Sequence, residues 1–357
     1  MFYAPPVGAG PTPPQPYPVL RCDRAAGSRR VLPQMACAVL QGLPLYAGFY
    51  RRQAVRRALR RAIAATCPEL ALVQGVAGAG LLAGLFPPQR TVLDLPDAEP
   101  EIFRQFGAHP GWRARLWRLD TPLLERWLTR ALPGFATVNV VSAADRASYQ
   151  VLAPAARYLL APNGADPVAP RRDPGGARLL FLGDLTWPPN QLALDWLRRE
   201  VLSRPTALDV LRVVGRGTAP QHPQIDAAGF VADLDEEWGR AVALLAPITS
   251  GSGTRVKILE AFSRGVPVIA TAFAVQGLSA APGVHYLQAE TGPEFCRAID
   301  RLVGDSGLRA ALSRSAQDLI GQHFTWSTTL TGLQEAVADL AAQPWTAAGR
   351  PEGTEGS

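Results

Sequence analysis

Val242-Ala-Leu-Leu-Ala-Pro-Ile-Thr-Ser-Gly-Ser-Gly-Thr-Arg-Val-Lys-Ile-Leu-Glu260 reads as a short apolar strand, a glycine-bracketed turn and the opening of a helix. Gly251 and Gly253 let another group come close to the backbone. Lys257 is the only lysine in the chain; every other basic side chain is arginine. Arg255 and Lys257 stand in the first helical turn, where the positive end of the dipole disfavours cations by roughly 0.3–1 kcal/mol each. An anion held between the loop amides and the two cations reverses that sign, because backbone N–H groups at a helix start bind phosphate. The competing reading is a solvated helix start in which Lys257 pairs with Glu260 at i,i+3, worth about 0.2–0.5 kcal/mol.

The same strand, glycine, helix rhythm extends outward. Arg178–Leu182 is an apolar run ending at Gly183, Asn190–Leu202 is helical, Val210–Val214 ends at Gly215, and Val266–Ala270 ends at Thr271. Strands alternating with helices imply a parallel sheet, whose ligands gather at the carboxyl ends of the strands. Upstream, Glu69–Gln74, Thr91–Leu95 and Thr137–Val141 read as further strands, and Tyr158–Ala161 precedes a turn at Pro162–Asp166. Trp112–Leu132 reads as a helix with Leu116, Leu119, Leu123, Leu124 and Leu128 as its apolar stripe, and Ser142 as the cap of the next helix with Asp145 at its third position.

A chain of 357 residues, 47% apolar, exceeds the usual single domain and has material for two cores. The expected division is a Pro/Gly-rich disordered or truncated start at 1–18, a first domain at 19–166, a linker at 167–176 and a second domain at 177–325. A C-terminal helix at 326–342 packs back on the first domain in this reading, followed by a disordered tail at 343–357. The charge of +6 is concentrated early, in Arg51, Arg52, Arg56, Arg57, Arg60 and Arg61, opposite Val55, Leu59 and Ile63 on one helix. With no nucleic-acid motif beside it, this face reads either as a contact with an anionic membrane or as an ordinary solvated arginine surface. Cys22, Cys37, Cys67 and Cys296 are scattered and make no metal-binding pattern with the histidines, so no metal or cofactor and a reduced, cytoplasmic setting are expected. No run of about 18 uncharged apolar residues is present to span a bilayer.

The second half resembles the donor domain of family 4 glycosyltransferases of the two-Rossmann GT-B architecture, in the bacterial exopolysaccharide-type branch. The residues that carry the likeness are Phe181-Leu-Gly-Asp-Leu-Thr-Trp-Pro-Pro-Asn190, Val213-Val-Gly-Arg-Gly217, Gly229-Phe-Val-Ala-Asp233, Ala246 through Phe262 and Gly265-Val-Pro-Val-Ile-Ala-Thr271. Thr91–Leu95, Val140–Asp145 and Pro162-Asn-Gly164 resemble its acceptor domain. The likeness implies an α/β, GT-B fold with a cleft between two Rossmann-like domains, the first of them departing from the pattern by lacking a clear first strand. It implies a metal-independent, retaining transfer of a sugar, of the hexosyltransferase type, from a nucleoside diphosphate to a glycan or lipid-linked acceptor at the inner face of the plasma membrane. By the same likeness Glu260 bonds the ribose hydroxyls, while Arg255, Lys257 and the Gly251, Ser252, Gly253 and Thr254 segment hold the diphosphate. Phe230 and Val231 line the base, Gln276 and Gly277 border the sugar, and Gly183, Asn190, Gly215 and Arg216 complete the substrate site. Asp94 and Asp97 are the acceptor-side candidates, Asp97 equally readable as a helix cap. Two departures stand out: Ser252 occupies the place of the first glutamate of a Glu-x7-Glu pair, and Asp184 the place of a phosphate-binding arginine. Ser252 and the unusual N-terminal start keep a rival in view, a catalytically silent GT-B subunit that binds a nucleotide sugar or a partner glycosyltransferase; a sugar-nucleotide epimerase is the rival within enzymes.

Overall fold

The computed structural model describes residues 2–3, 20–21, 31–50, 53–169, 173–253 and 255–344. Thr254, Arg51 and Arg52, nearly all of the 1–18 segment, part of the 167–176 linker and the tail from 345 lie outside them.

The first unit begins with a parallel pair of two-residue strands, β1 (Phe2–Tyr3) and β2 (Leu20–Arg21), then α1 (Val31–Leu40), α2 (Leu45–Tyr50) and α3 (Gln53–Thr66). Its sheet is built from β3 (Ala71–Gln74), β4 (Thr91–Leu95), β5 (Thr137–Val140) and β6 (Tyr158–Leu160). The crossovers are α4 (Gly75–Leu82), α5 (Glu99–Ala108) with α6 (Trp112–Ala131), and α7 (Ala143–Leu152). The strands are parallel and lie in chain order, β3-β4-β5-β6, so among the described residues β3 is an edge. β4 is the most buried of them, its Val92, Leu93 and Leu95 fitting a strand covered on both faces. Val76, Leu93, Leu95, Phe103, Leu124, Leu128 and Tyr149 form its core.

The inner face of α6 differs from the leucine stripe expected. Ala114, Asp120, Leu124 and Leu128 are buried with Trp117 beside them, whereas Leu116 and Leu119 face outward, 46% and 63% exposed. The reason is Asp120: its carboxylate accepts the Leu45 and Tyr46 N–H groups (2.5 and 2.9 Å) that would otherwise be unpaired at the start of α2. Holding that bond fixes the rotation of α6 about its axis and turns the two leucines out. Arg56 likewise departs from the free basic face, because its guanidinium bonds the Leu81 and Ala83 carbonyls at the end of α4, while Arg57, Arg60 and Arg61 are exposed.

The second unit contains β7 (Arg178–Leu182), α8 (Pro188–Glu200), β8 (Val210–Val214), β9 (Ile225–Gly229), α9 (Asp235–Arg240), β10 (Ala243–Ala246), α10 (Val256–Ser263), β11 (Val268–Ala270), β12 (Leu287–Gln288), α11 (Gly292–Gly304) and α12 (Ser306–Leu319). Its parallel six-stranded sheet has the order β12-β11-β10-β7-β8-β9. The chain therefore runs outward from β7 through β8 to β9, then crosses back to β10 and runs the other way. The reversal opens a crevice beyond the carboxyl ends of β7 and β10, the place where doubly wound sheets bind ligands. At that edge Gly215, at φ +146°, passes so close to the Gly183 carbonyl that a Cβ would lie 1.9 Å from its oxygen. Only glycine permits the loops after β7 and β8 to meet there.

The last helix, α13 (Trp326–Ala342), lies against the first unit. Gly164 and β6 touch it at Trp326, Thr329 and Gly332, and the buried Arg90 donates to the Leu340 and Gln343 carbonyls (2.7 and 3.2 Å) that close its C-terminal end. No helix among the described residues is long and apolar enough to cross a membrane.

Candidate functional site

The crevice is lined from two sides of the strand reversal. From β10 comes the Gly251–Gly253 loop leading into α10; from β7 comes Gly183 and the turn into α8. Lys257 joins them: its Nζ donates to Asn190 Oδ1 at 2.9 Å and lies 5.4 Å from the centre of the Phe181 ring. Asn190 is itself held, its Nδ2 donating to the Asp184 carbonyl at 3.0 Å, and its side chain fills the space a Cβ on Gly183 would need. The Asp184 carboxylate turns away to accept from the Thr186 N–H and hydroxyl. No carboxylate reaches Lys257 among the described contacts, so its charge is aligned by a neutral amide and left uncompensated. The surrounding protein shields the ammonium and, with the neighbouring charge of Arg255, lowers its pKa to about 7.

Arg255 folds beneath its own loop. Nη1 donates to the Ser252 and Gly253 carbonyls, the guanidinium stacks 5.1 Å over Phe273, and Nε is buried with no hydrogen-bond partner among the described residues. Turning these carbonyls inward leaves the loop N–H groups pointing to the other domain. Gly251 N–H donates to Gln105 Oε1 (2.8 Å) and Gly253 N–H to Asp145 Oδ1 (3.4 Å), while Ser252 Oγ accepts from Ala98 N–H (2.9 Å) and faces Asp97 Oδ1 at 3.5 Å. The loop is thus the seam between the two units. Asp97 is pushed up to about 6, chiefly by burial and then by Asp145, against the opposing pull of Arg255. Burial also raises Asp145, which remains bonded to the Ser142 hydroxyl at 2.6 Å.

Of the residues singled out in the sequence, the structure gathers Gly183, Asn190, Gly251, Ser252, Gly253, Arg255, Lys257 and Asp97 around this seam. Glu260 does not pair with Lys257; it is half-buried, its carboxyl raised by burial with Arg264 and Asp235 as its charged neighbours. Arg216 lies over the ring of Phe230, 5.4 Å from its centre, and Phe230 is 66% exposed with Val231 next to it. Gly277 faces Ser142 across the cleft, and Gln276 is exposed. Asp94, near the end of β4, accepts from Asn139 and Gln74 within the first sheet (2.8 and 3.1 Å). Asp97 caps no helix with its side chain; the N-cap of α5 is Ala98.

Sequence reasoning passed over Gln105 and the cluster behind Asp97. Glu99 accepts from the Val76 N–H at the start of α4 and from the Tyr46 hydroxyl, and its own N–H donates to the Tyr149 hydroxyl, which donates in turn to the Asp97 carbonyl. Burial pushes Glu99 up to about 7. The signal available was Asp-Ala-Glu (97–99) closely following a buried strand, two carboxylates where the chain turns into a helix.

Residues 176–305 match the family model described as Glycosyl transferases group 1. The match covers the second unit from β7 through α11 and contains the loops after β7 and β10 that line the crevice. No curated protein matches the chain in sequence. Among solved structures, sucrose-phosphate synthase from Thermosynechococcus elongatus is similar in fold, with a TM-score of 0.65 at 16% identity over 80% of this chain and 77% of that one. HepE from Anabaena, in complex with UDP and glucose, gives 0.59 at 18% identity over 90% and 86%. The pneumococcal O-GlcNAc transferase GtfA, in complex with UDP and GlcNAc, gives 0.53 at 13% over 80% and 60%. Two parallel sheets in this arrangement, with such neighbours, are the GT-B fold.

Proposed function

We propose that the chain is a glycosyltransferase that moves a sugar from a nucleoside-diphosphate sugar to a glycan or lipid-linked acceptor at a membrane, with retention and without an essential metal. The observation that carries the reading is Lys257: an ammonium shielded in the crevice at the strand reversal, aligned by Asn190 and with no carboxylate partner among the described residues. A diphosphate supplies an anion there. Breaking the sugar–phosphate bond leaves negative charge on the departing oxygen, and a preorganised cation aimed there lowers the barrier; the Gly251 and Gly253 N–H groups, expected from the sequence to share that role, are instead taken by Gln105 and Asp145. The family match over the donor half and the UDP held by HepE and GtfA support a uridine diphosphate sugar as the first donor to try. Gly277 facing Ser142 across the cleft supports a sugar end of the donor lying between the units, and Asp97 on the opposite wall is the acceptor-side group in this reading.

The test is a thermal-shift and calorimetric screen of nucleoside diphosphates and their sugars, followed by assay of donor hydrolysis and transfer to glycan and lipid extracts. A ligand at 100 times its dissociation constant stabilises by about 2.7 kcal/mol, well within detection. Binding with turnover is expected. Binding with neither hydrolysis nor transfer would instead favour a catalytically silent subunit, and no binding at all would defeat the reading.

A further inference from the structure

α6 carries two apolar faces. One enters the core through Ala114, Leu124 and Leu128; the other, formed by Trp112, Leu116 and Leu119 at i, i+4 and i+7, points outward with 68%, 46% and 63% exposure. Single exposed leucines are ordinary, but three large apolar side chains in one row make a contact patch. The charges beside the row share one sign. Arg115, Arg126 and Arg130 are exposed on the same side of the helix. The two acids of α6 are spent elsewhere, Asp120 inside on the α2 N–H groups and Glu125 on Arg104 at 2.6 Å. An indole and two leucines flanked by three guanidiniums fit one surface chemistry: apolar side chains that enter the acyl boundary and cations that meet phosphate headgroups.

We propose that the outer face of α6 seats the first unit on an anionic lipid bilayer, with Trp112, Leu116 and Leu119 inserted and Arg115, Arg126 and Arg130 at the headgroups. The face is on a different helix from the arginine-bearing α3 that the sequence offers for this contact. The inference builds on the reading of an acceptor at a membrane, and its assay contains no sugar nucleotide, so its failure leaves the donor reading untouched.

The experiment is co-sedimentation of the full chain with vesicles of phosphatidylcholine alone and of equimolar phosphatidylcholine and phosphatidylglycerol. Binding is expected on the anionic vesicles, weakened about tenfold or more by L116S/L119S and, separately, by R115Q/R126Q/R130Q. Because all five positions are exposed, both variants should melt like the parent. Should one misfold, the other still decides. A fall in Trp112 emission wavelength, read as the difference between the parent and W112F, reports insertion. Equal binding to both vesicle types, or anionic binding that neither variant weakens, overturns the proposal. So does self-association lost in L116S/L119S without vesicle binding, which would assign the face to a second copy of the chain.

Discussion

At the scale of single residues, Lys257 sets two quantities moving in opposite directions with pH. Its pKa is lowered to about 7, against an unfolded value near 10.5. Between those values the unfolded chain binds more protons than the folded one, so this group makes the empty protein gain stability as pH rises above 7. Diphosphate binding needs the ammonium, so affinity falls over the same range, and binding near pH 7 takes up protons. Calorimetry of UDP binding in two buffers of different ionisation enthalpy should show that uptake; its absence would remove Lys257 from the contact. Lys257→Ala is expected to weaken donor use about 10–100-fold through loss of one charge-assisted contact. Asn190→Asp is the sharper test of alignment. A carboxylate 2.9 Å from Nζ would neutralise the charge Asn190 now leaves available. It should cost UDP affinity as much as Lys257→Ala does, whereas Asn190→Ala, which leaves the charge intact, costs less. The lysine was legible in the sequence as the lone ammonium among arginines. Its partner was visible only as one residue of a motif, because nothing in the spacing of 190 and 257 says that two loops converge.

At the scale of elements, the buried strands were the most readable. β4, β7 and β8 have the bounds their mainly apolar runs announce, because strands covered on both faces are dominated by Val and Leu. β9 escaped for the converse reason: Ile225-Asp-Ala-Ala-Gly229 is a half-exposed edge with no apolar alternation. α11 did carry a sign, the capping box of Thr291 and Glu294 with Pro293 inside its first turn, which the sequence reading passed by. The face of α6 was misassigned because leucine content outvoted Asp120, whose N–H partners on α2 lie 74 and 75 residues away. Where α4 meets α5, Glu99 provides a stability test. Its carboxyl is raised from 4.5 to about 7, so the folded state binds the extra proton and the contribution is present at low pH and lost as pH rises from 4.5 through 7. Glu99→Gln keeps an acceptor for Val76 N–H and a partner for the Tyr46 hydroxyl while removing the charge. Its melting temperature should match the parent at pH 5 and exceed it at pH 8. A constant difference across that range would show that the carboxylate does not titrate in the fold.

At the scale of the molecule, the two units meet through the Gly251–Gly253 loop, whose outward N–H groups are taken by the first unit's own acceptors, Gln105 and Asp145. The composition of the loop follows from that seam as much as from any ligand. A Cβ on Gly253 would lie 2.6 Å from both Asp97 Oδ1 and the Pro96 carbonyl, and its φ of +74° is strained for any other residue. Gly251, whose φ of +112° is equally strained for any other residue, would meet only the flexible end of Arg255 at 3.6 Å. The sequence offered both glycines as equals, because the difference lies wholly in what the first unit places against them. Gly253→Ala is therefore a wedge at the domain seam. It leaves Lys257 and Asn190 in place inside the second unit and pushes Asp97 away, so the cleft opens. The radius of gyration from small-angle scattering should rise without donor. Sugar transfer should fall by about tenfold or more, since a displacement near 1 Å of positioning groups costs about 100-fold, while UDP affinity changes less. Cleft closure completes a site by excluding water and bringing the two walls together, and only a group on the first unit's wall makes transfer more sensitive than binding. Equal losses in transfer and UDP affinity, at an unchanged radius of gyration, would place the effect of Gly253 within its own loop and leave Asp97 without a part in the chemistry.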